Sequence, residues 1–258
     1  MGLWDILLLI SVASLGTLVA YLRSPRYKAL MLCIPIPFTF ATLAVGENVN
    51  STHVFGLLIL LGFWFFVYWL RCGARLPIIP AIVLAAVAYC VMGVFLAKVI
   101  PKTEVFFGIA GVLVCLVALV LHVKLPYRME PKYSTQMPVW IKVLLLLAIV
   151  LGLIAIKSLL AGFMTVFPMV GVLTAYESRY SLWTTCRQIP ALMLAMVCMM
   201  TVIHLATPAI GIYFALFLGW ITMGTVMTIL LRYHWGREQE HIQTSQLDTV
   251  LNGVSELQ

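Results

Sequence analysis

Nine apolar runs, each near the roughly 20 residues needed to cross a bilayer, are separated by short polar links. They lie at about 3–22, 28–46, 54–70, 77–97, 105–123, 139–156, 159–179, 188–205 and 207–231. Two of the runs are interrupted. The second carries Pro35 and Pro37 at mid-span and ends at Glu47; the seventh carries Pro168 and Gly171 and ends at Glu177 and Arg179. Proline removes a backbone donor and clashes one turn back, so each run predicts a helix broken near its middle. Two interrupted segments at matching places in two halves are the sequence pattern of a transporter's central site.

Composition fixes the solvent. The 258 residues are 63% hydrophobic and only 10% charged, against roughly 25% charged in soluble domains. Lipid can surround such a chain, because helices satisfy their own backbone hydrogen bonds. A net charge of +7 invites a nucleic-acid reading, but the basic residues are spread over short links and form no basic face with interleaved aromatics. Their distribution instead predicts topology. With the N-terminus outside, the inner links hold Arg23, Arg26, Lys28, Arg71, Arg75, Lys124, Arg128, Lys132, Lys142, Arg179, Arg187, Arg232 and Arg237, and the outer links hold Lys98, Lys102 and Lys157, a ratio of 13 to 3. Asp5 at the start, with basic residues after the first run, predicts a first span rather than a cleaved signal. The six cysteines show no CxxC and no disulfide framework.

Runs one to four resemble runs six to nine. Pro37 and Pro168 are 131 residues apart, and Glu47 and Glu177 are 130 apart. Five spans precede the second set, an odd number, so the repeat is expected to be inverted. The expected fold is an all-α integral membrane protein of nine transmembrane helices, N-terminus out and C-terminus in, with a 4+1+4 inverted repeat and proline-broken helices two and seven. The parts are 1–102 (first repeat), 103–125 (linking helix), 126–137 (inner loop), 138–232 (second repeat) and 233–258 (tail). In the tail, Leu247, Val250, Leu251, Val254 and Leu257 mark an amphipathic helical stripe.

The second half, with Ala161-Gly162, Phe167-Pro168, Gly171 and Tyr176-Glu177-Ser178-Arg179, resembles the small bacterial inner-membrane proteins of the GlpM type, which are linked to alginate production. The first half offers Pro35-Ile36-Pro37-Phe38-Thr39-Phe40 and Gly46-Glu47. The likeness covers about 80 residues of each half, and its motif is short and apolar. Members are about half this length, so the resemblance implies a fused pair in a bacterial inner membrane. It also implies a link to exopolysaccharide or envelope synthesis.

Two readings of the breaks are open: packing kinks, or unwound stretches whose backbone lines a cavity. The polar side chains nearest to them are Thr39, Thr42 and Thr165. Glu47 and Glu177 read either as solvated charges at span ends or as gate residues, with Arg179 or Arg187 partnering Glu177. Met193, Met196, Met200 and His204 share one helix face. That face reads as a packing stripe or, with soft ligands, as a copper(I) path. His53 near Glu47 is a further polar neighbour. No nucleotide loop or catalytic constellation is present, so neither enzyme activity nor a bound cofactor or metal is expected.

The expected function is a small secondary transporter or exporter of a low-molecular-weight polar solute or envelope precursor, working by alternating access. The substrate-binding and gating residues would be Pro35, Pro37, Thr39, Thr42, Glu47, Thr165, Pro168, Gly171, Glu177 and Arg179. Its partners would be the lipid bilayer and the solute, with no nucleic acid. The alternative is a non-transporting accessory protein of an envelope or exopolysaccharide biosynthesis complex.

Overall fold

The computed structural model describes the backbone of residues 2–128, 130–131 and 137–255, and side chains through Arg232. The described residues are helical, with no strand. The helices are α1 Leu3–Tyr21, α2 Pro25–Leu32, α3 Ile36–Val45, α4 Ser51–Tyr68, α5 Ile78–Val99, α6 Glu104–Lys124, α7 Val139–Ala155, α8 Lys157–Leu160, α9 Gly162–Val166, α10 Met169–Glu177 and α11 Leu182–Ser255. Six helical stretches are long and apolar enough to cross a membrane: Leu3–Tyr21, Pro25–Val45, Ser51–Gly73, Ile78–Val99, Glu104–Lys124 and Leu182–Arg232. The tail stripe and the basic residues Lys132 and Arg237 lie outside the described side chains.

The helices are apolar on both faces. On α1, Leu8, Val12, Leu15 and Val19 are buried in the core, while Ile6, Ile10 and Leu18 on the other side are exposed. On α5, Val83, Val87, Val91 and Phe95 form an exposed apolar row. A helix hydrophobic all round belongs inside a large core or in lipid, and these outer rows have no protein over them.

Local chemistry sets the ends. Asp5 in the first turn of α1 accepts the Gly2 amide (2.9 Å), and the Asn50 side chain caps α4 by accepting the Thr52 amide (3.0 Å). The long α11 is interrupted at Gly211, with φ 77° and ψ 163°, a region that glycine alone occupies readily. Beyond it the chain folds back, so that Gly219 faces Ile203 and Met199. The apolar runs place this boundary at about 205–207, but the helix continues past it with Pro208 inside. The reversal needs positive φ, which Gly211 supplies without a Cβ clash. Helix α11, which contains the eighth apolar run, also begins at Leu182 rather than 188.

Both interrupted segments are broken where the prolines lie. Between α2 and α3 the chain turns through Cys33–Pro35. Between α9 and α10, Pro168 has φ −74° and ψ 61°, and the Met169 amide donates to the Phe167 carbonyl (2.7 Å). That is an inverse γ-turn. The second segment is broken again at Ala161, with φ 47° and ψ −131°, a costly conformation for a residue with a Cβ. The two segments lie side by side, α3 against α9 and α2 against α10, so their breaks are level. Helix α4 packs against α5, α6, α9 and α11, and α1 packs against α3, α7 and α10.

Gly162 is where α9 meets the start of α4: a Cβ there would run into the Thr52 hydroxyl and the His53 imidazole. Gly162→Ala is expected to lower stability by about 1–3 kcal/mol. Gly108→Ala, on α6 with open space around it, should be neutral or stabilising by less than about 1 kcal/mol. Denaturant titration of both in detergent checks this; equal effects would contradict the packing.

Candidate functional site

The breaks enclose a cavity of about 80 Å³, room for a few water molecules. Pro35, Pro37, Thr165, Pro168 and Gly171 line it, with Trp64 and Met196 from α4 and α11. Five of the ten residues singled out from the sequence therefore surround one space. The walls are almost wholly apolar side chains. The Thr165 hydroxyl donates to the Gly162 carbonyl (2.7 Å). What polarity the breaks add comes from backbone, because the first amides of α3 and α10 lack partners within their own helices. Both helix starts border the cavity, so two positive dipole ends approach one space.

The other five residues lie elsewhere. The Thr39 hydroxyl donates to the Pro35 carbonyl (3.0 Å) and accepts from the Trp220 indole (2.9 Å), tying the returning arm of α11 to α3. Thr42 donates to the Phe38 carbonyl one turn back (2.8 Å). Glu47 is half-exposed and pairs with Lys102 (2.8 Å). The Arg179 guanidinium lies 5.3 Å from the rings of both Tyr176 and Tyr180.

Glu177 corrects the sequence reading most. It is not a water-facing charge at a span end: its side chain is fully buried. Its carboxylate pairs with Lys142 at 2.7 Å and with Lys28 at 3.8 Å. Lys28 also donates to the Glu177 backbone carbonyl (2.7 Å). Lys28 and Lys142, counted above among inner-link charges, are likewise buried. The physical reason is docking. Lys28 lies in the first turn of α2 and Glu177 ends α10, and the side-by-side packing of these helices carries both out of water together with Lys142 of α7.

The opposite end repeats the arrangement. Lys157, at the start of α8, donates to the Ala44 carbonyl in the last turn of α3 (3.1 Å) and to both carboxylate oxygens of Asp5 (2.8 and 3.0 Å). Each interrupted segment thus carries in its first turn a lysine that reaches the last turn of the other. The carbonyls there are without intrahelical partners and carry the negative end of the helix dipole, so an ammonium is favoured. Sequence reasoning missed these lysines and the role of Asp5. A signal was present: Lys28 and Lys157 are 129 residues apart, beside the offsets of 130 and 131 already noted.

The remaining candidates are engaged in packing and hydrogen bonds, with Met196 also lining the cavity. Met193, Met196 and Met200 are buried. His204 Nε2 pairs with Glu104 (2.7 Å), Nδ1 meets the Val49 carbonyl (2.7 Å), and its ring stacks on Phe107 at 4.1 Å. His53 is buried and takes part in the cap of α4, with Nδ1 accepting the Asn50 amide (3.2 Å), instead of meeting Glu47. Among the described residues, no group of three or more His, Cys, Asp or Glu is placed to hold a metal ion. The chain matches no family model, no curated protein and no solved structure.

Removing one member of a buried ion cluster leaves the others uncompensated, whereas an exposed pair is screened by water. Glu177→Gln is expected to destabilise the folded chain by about 3–5 kcal/mol, and Glu47→Gln by less than about 1 kcal/mol. Unfolding midpoints in detergent measure both, and comparable shifts would refute the difference in burial.

Proposed function

We propose that the chain is a small secondary transporter that works by alternating access around the cavity between its two interrupted helices. One observation carries the proposal: two proline-broken segments, one from each half, meet at a single cavity with a lysine clamp at either end. That is the architecture a rocking transporter needs, a central site with a closure on each side of it. Nine spans, N-terminus out, complete the reading, with α8–α10 as one broken span and the two arms of α11 about Gly211 as the last two. The excess of inner basic residues survives removal of the buried Lys28 and Lys142.

The inverted repeat is supported by paired contacts. α3 on α9 matches α10 on α2, and α4 on α9 matches α11 on α2. The two lysine clamps match in the same sense. This is also what a fused pair of GlpM-like halves would produce, so that resemblance remains part of the proposal.

Of the two substrate classes, the apolar walls favour an envelope precursor over a wholly polar solute. The two helix starts at the cavity favour a negatively charged group on it. The cargo is thus an anionic amphiphile, carried across a bacterial inner membrane. The small size and apolar lining of the cavity are also what a rigid accessory protein of an envelope-synthesis complex would have, and that is the second reading.

Two measurements separate these readings. In a cysteine-free background, Thr165→Cys is expected to react with a membrane-impermeant maleimide from either side of sealed vesicles. The purified chain should also move a fluorescent short-chain polyprenyl phosphate between leaflets, with Pro168→Ala and Lys157→Gln each slowing it about tenfold. Both variants leave the Glu177 cluster intact, and unfolding midpoints in detergent are measured beside flux because Lys157→Gln leaves the buried Asp5 carboxylate without its partner. A Thr165→Cys side chain unreactive from both sides, together with no movement of the probe, would sink the transport reading. A stable partner recovered in detergent would then support the accessory one.

A further inference from the structure

The bundle end that carries Lys28 and Glu177 also holds an open pocket of about 380 Å³, separate from the central cavity. Arg71, Arg75 and Arg179 line it, with Tyr68, Tyr180 and Glu130. All three cations are arginines, whose planar forks fit the oxygens of a phosphate in pairs. Glu130 is the carboxylate of the wall. Its two oxygens are already engaged, accepting the amides of Trp183 (3.1 Å) and Thr184 (2.7 Å) at the start of α11. Arg128 stands beside the pocket, donating to the Tyr68 hydroxyl (3.2 Å) and lying 4.4 Å from the Trp183 ring. Among the described residues, positive charge therefore exceeds negative charge at this wall.

The backbone is shaped to present these side chains. The last turn of α4 widens into a π-helical turn over Trp69–Gly73, a local departure that recurs at functional sites. Arg71 projects from that turn and donates to the Leu76 carbonyl (3.2 Å), which folds the following loop back. Arg75 in that loop adopts φ 56°, an uncommon conformation for a residue other than glycine. It is the left-handed residue that ends the helix, with the Leu76 amide donating to the Leu70 carbonyl (2.9 Å), and it leaves the Arg75 side chain exposed.

The pocket opens at the end of a bilayer-length helix, with Trp69 58% and Tyr180 49% exposed beside it. Amphipathic aromatics of this kind mark the headgroup level, and basic pockets there suit phosphate-bearing lipids. We infer that this pocket is a binding site for a phosphate ester anion. Two sources share that chemistry, an anionic phospholipid headgroup and a water-soluble phosphate. The inference stands on the membrane-embedded fold and not on transport.

The test uses the full chain, purified in detergent. Native mass spectrometry measures retention of phosphatidylglycerol against phosphatidylcholine, and calorimetry measures binding of inorganic phosphate. Selective retention of phosphatidylglycerol, lowered about tenfold or more in Arg71→Gln/Arg75→Gln and unchanged in Lys102→Gln at the opposite end, identifies a lipid site. Inorganic phosphate binding lost in the same variant, without lipid preference, identifies a soluble ligand. Should the double variant fail to fold, Arg75→Gln alone, at an exposed loop position, replaces it. Retention and phosphate binding that are absent, or the same with and without these arginines, would overturn the inference.

Discussion

Lys28 and Lys157 each leave the start of one interrupted segment and reach the last turn of the other. In a low-dielectric surrounding an ammonium without acceptors costs several kcal/mol, and the unpartnered carbonyls at a helix end are equally in need of donors. Both needs are met only if the two segments lie antiparallel with their ends aligned. Lys28 precedes Pro37 by nine residues and Lys157 precedes Pro168 by eleven. With both ends fixed, the breaks are brought to nearly the same depth. The cavity follows from the clamps: two helices pinned at their ends and unable to continue through their middles leave space where they fail.

The two segments meet this constraint differently. The first turns once, through Cys33–Pro35. The second is divided twice, at Ala161 and at the inverse γ-turn of Pro168. Ala161 occupies a strained conformation, and Gly162 beside it allows α4 to come close enough for Thr52 and His53 to touch its backbone. The Tyr89 hydroxyl donates to the Phe163 carbonyl (2.9 Å), taking up an acceptor in this short stretch. Close packing and side-chain hydrogen bonds thus replace the helical ladder that the breaks interrupt, as they must inside a bilayer.

What the sequence made legible follows from which forces are local. Run length and apolar content mark the helices because the bilayer acts on each separately. Pro35, Pro37 and Pro168 mark the breaks because proline acts on its own turn. Glu177, Lys28 and Lys142 misled because a charge at the edge of an apolar run looks the same whether it meets water or another helix. Only the packing of α2, α7 and α10 decides, and that is not written in any one run. Gly211 was missed for a related reason. A glycine inside an apolar run looks ordinary, and the positive φ of the reversal is a demand of the tertiary path. Thr39 and Thr42 are close to the break along the chain, yet their hydroxyls turn to Trp220 and to the Phe38 carbonyl.

The clamps are unequal, and the inequality bears on how a cycle would run. At the Glu177 end a carboxylate and two ammonium groups are all buried, and separating them exposes charges to a medium that solvates them poorly. At the Asp5 end the carboxylate is 3% exposed but Lys157 is 32% exposed, so water already solvates part of the pair and can follow the ammonium as it withdraws. Breaking a buried pair costs about 3–5 kcal/mol and a well-solvated one about 0–1 kcal/mol. Lys157 lies between these limits, nearer the lower one. In the proposed alternating-access cycle the Asp5 end would therefore be the one to open first from this conformation. Opening the Glu177 end needs a compensating charge or water to enter with it. An anionic cargo of the proposed transporter would supply that charge beside Lys28 and Lys142, and would so couple the harder opening to the presence of substrate.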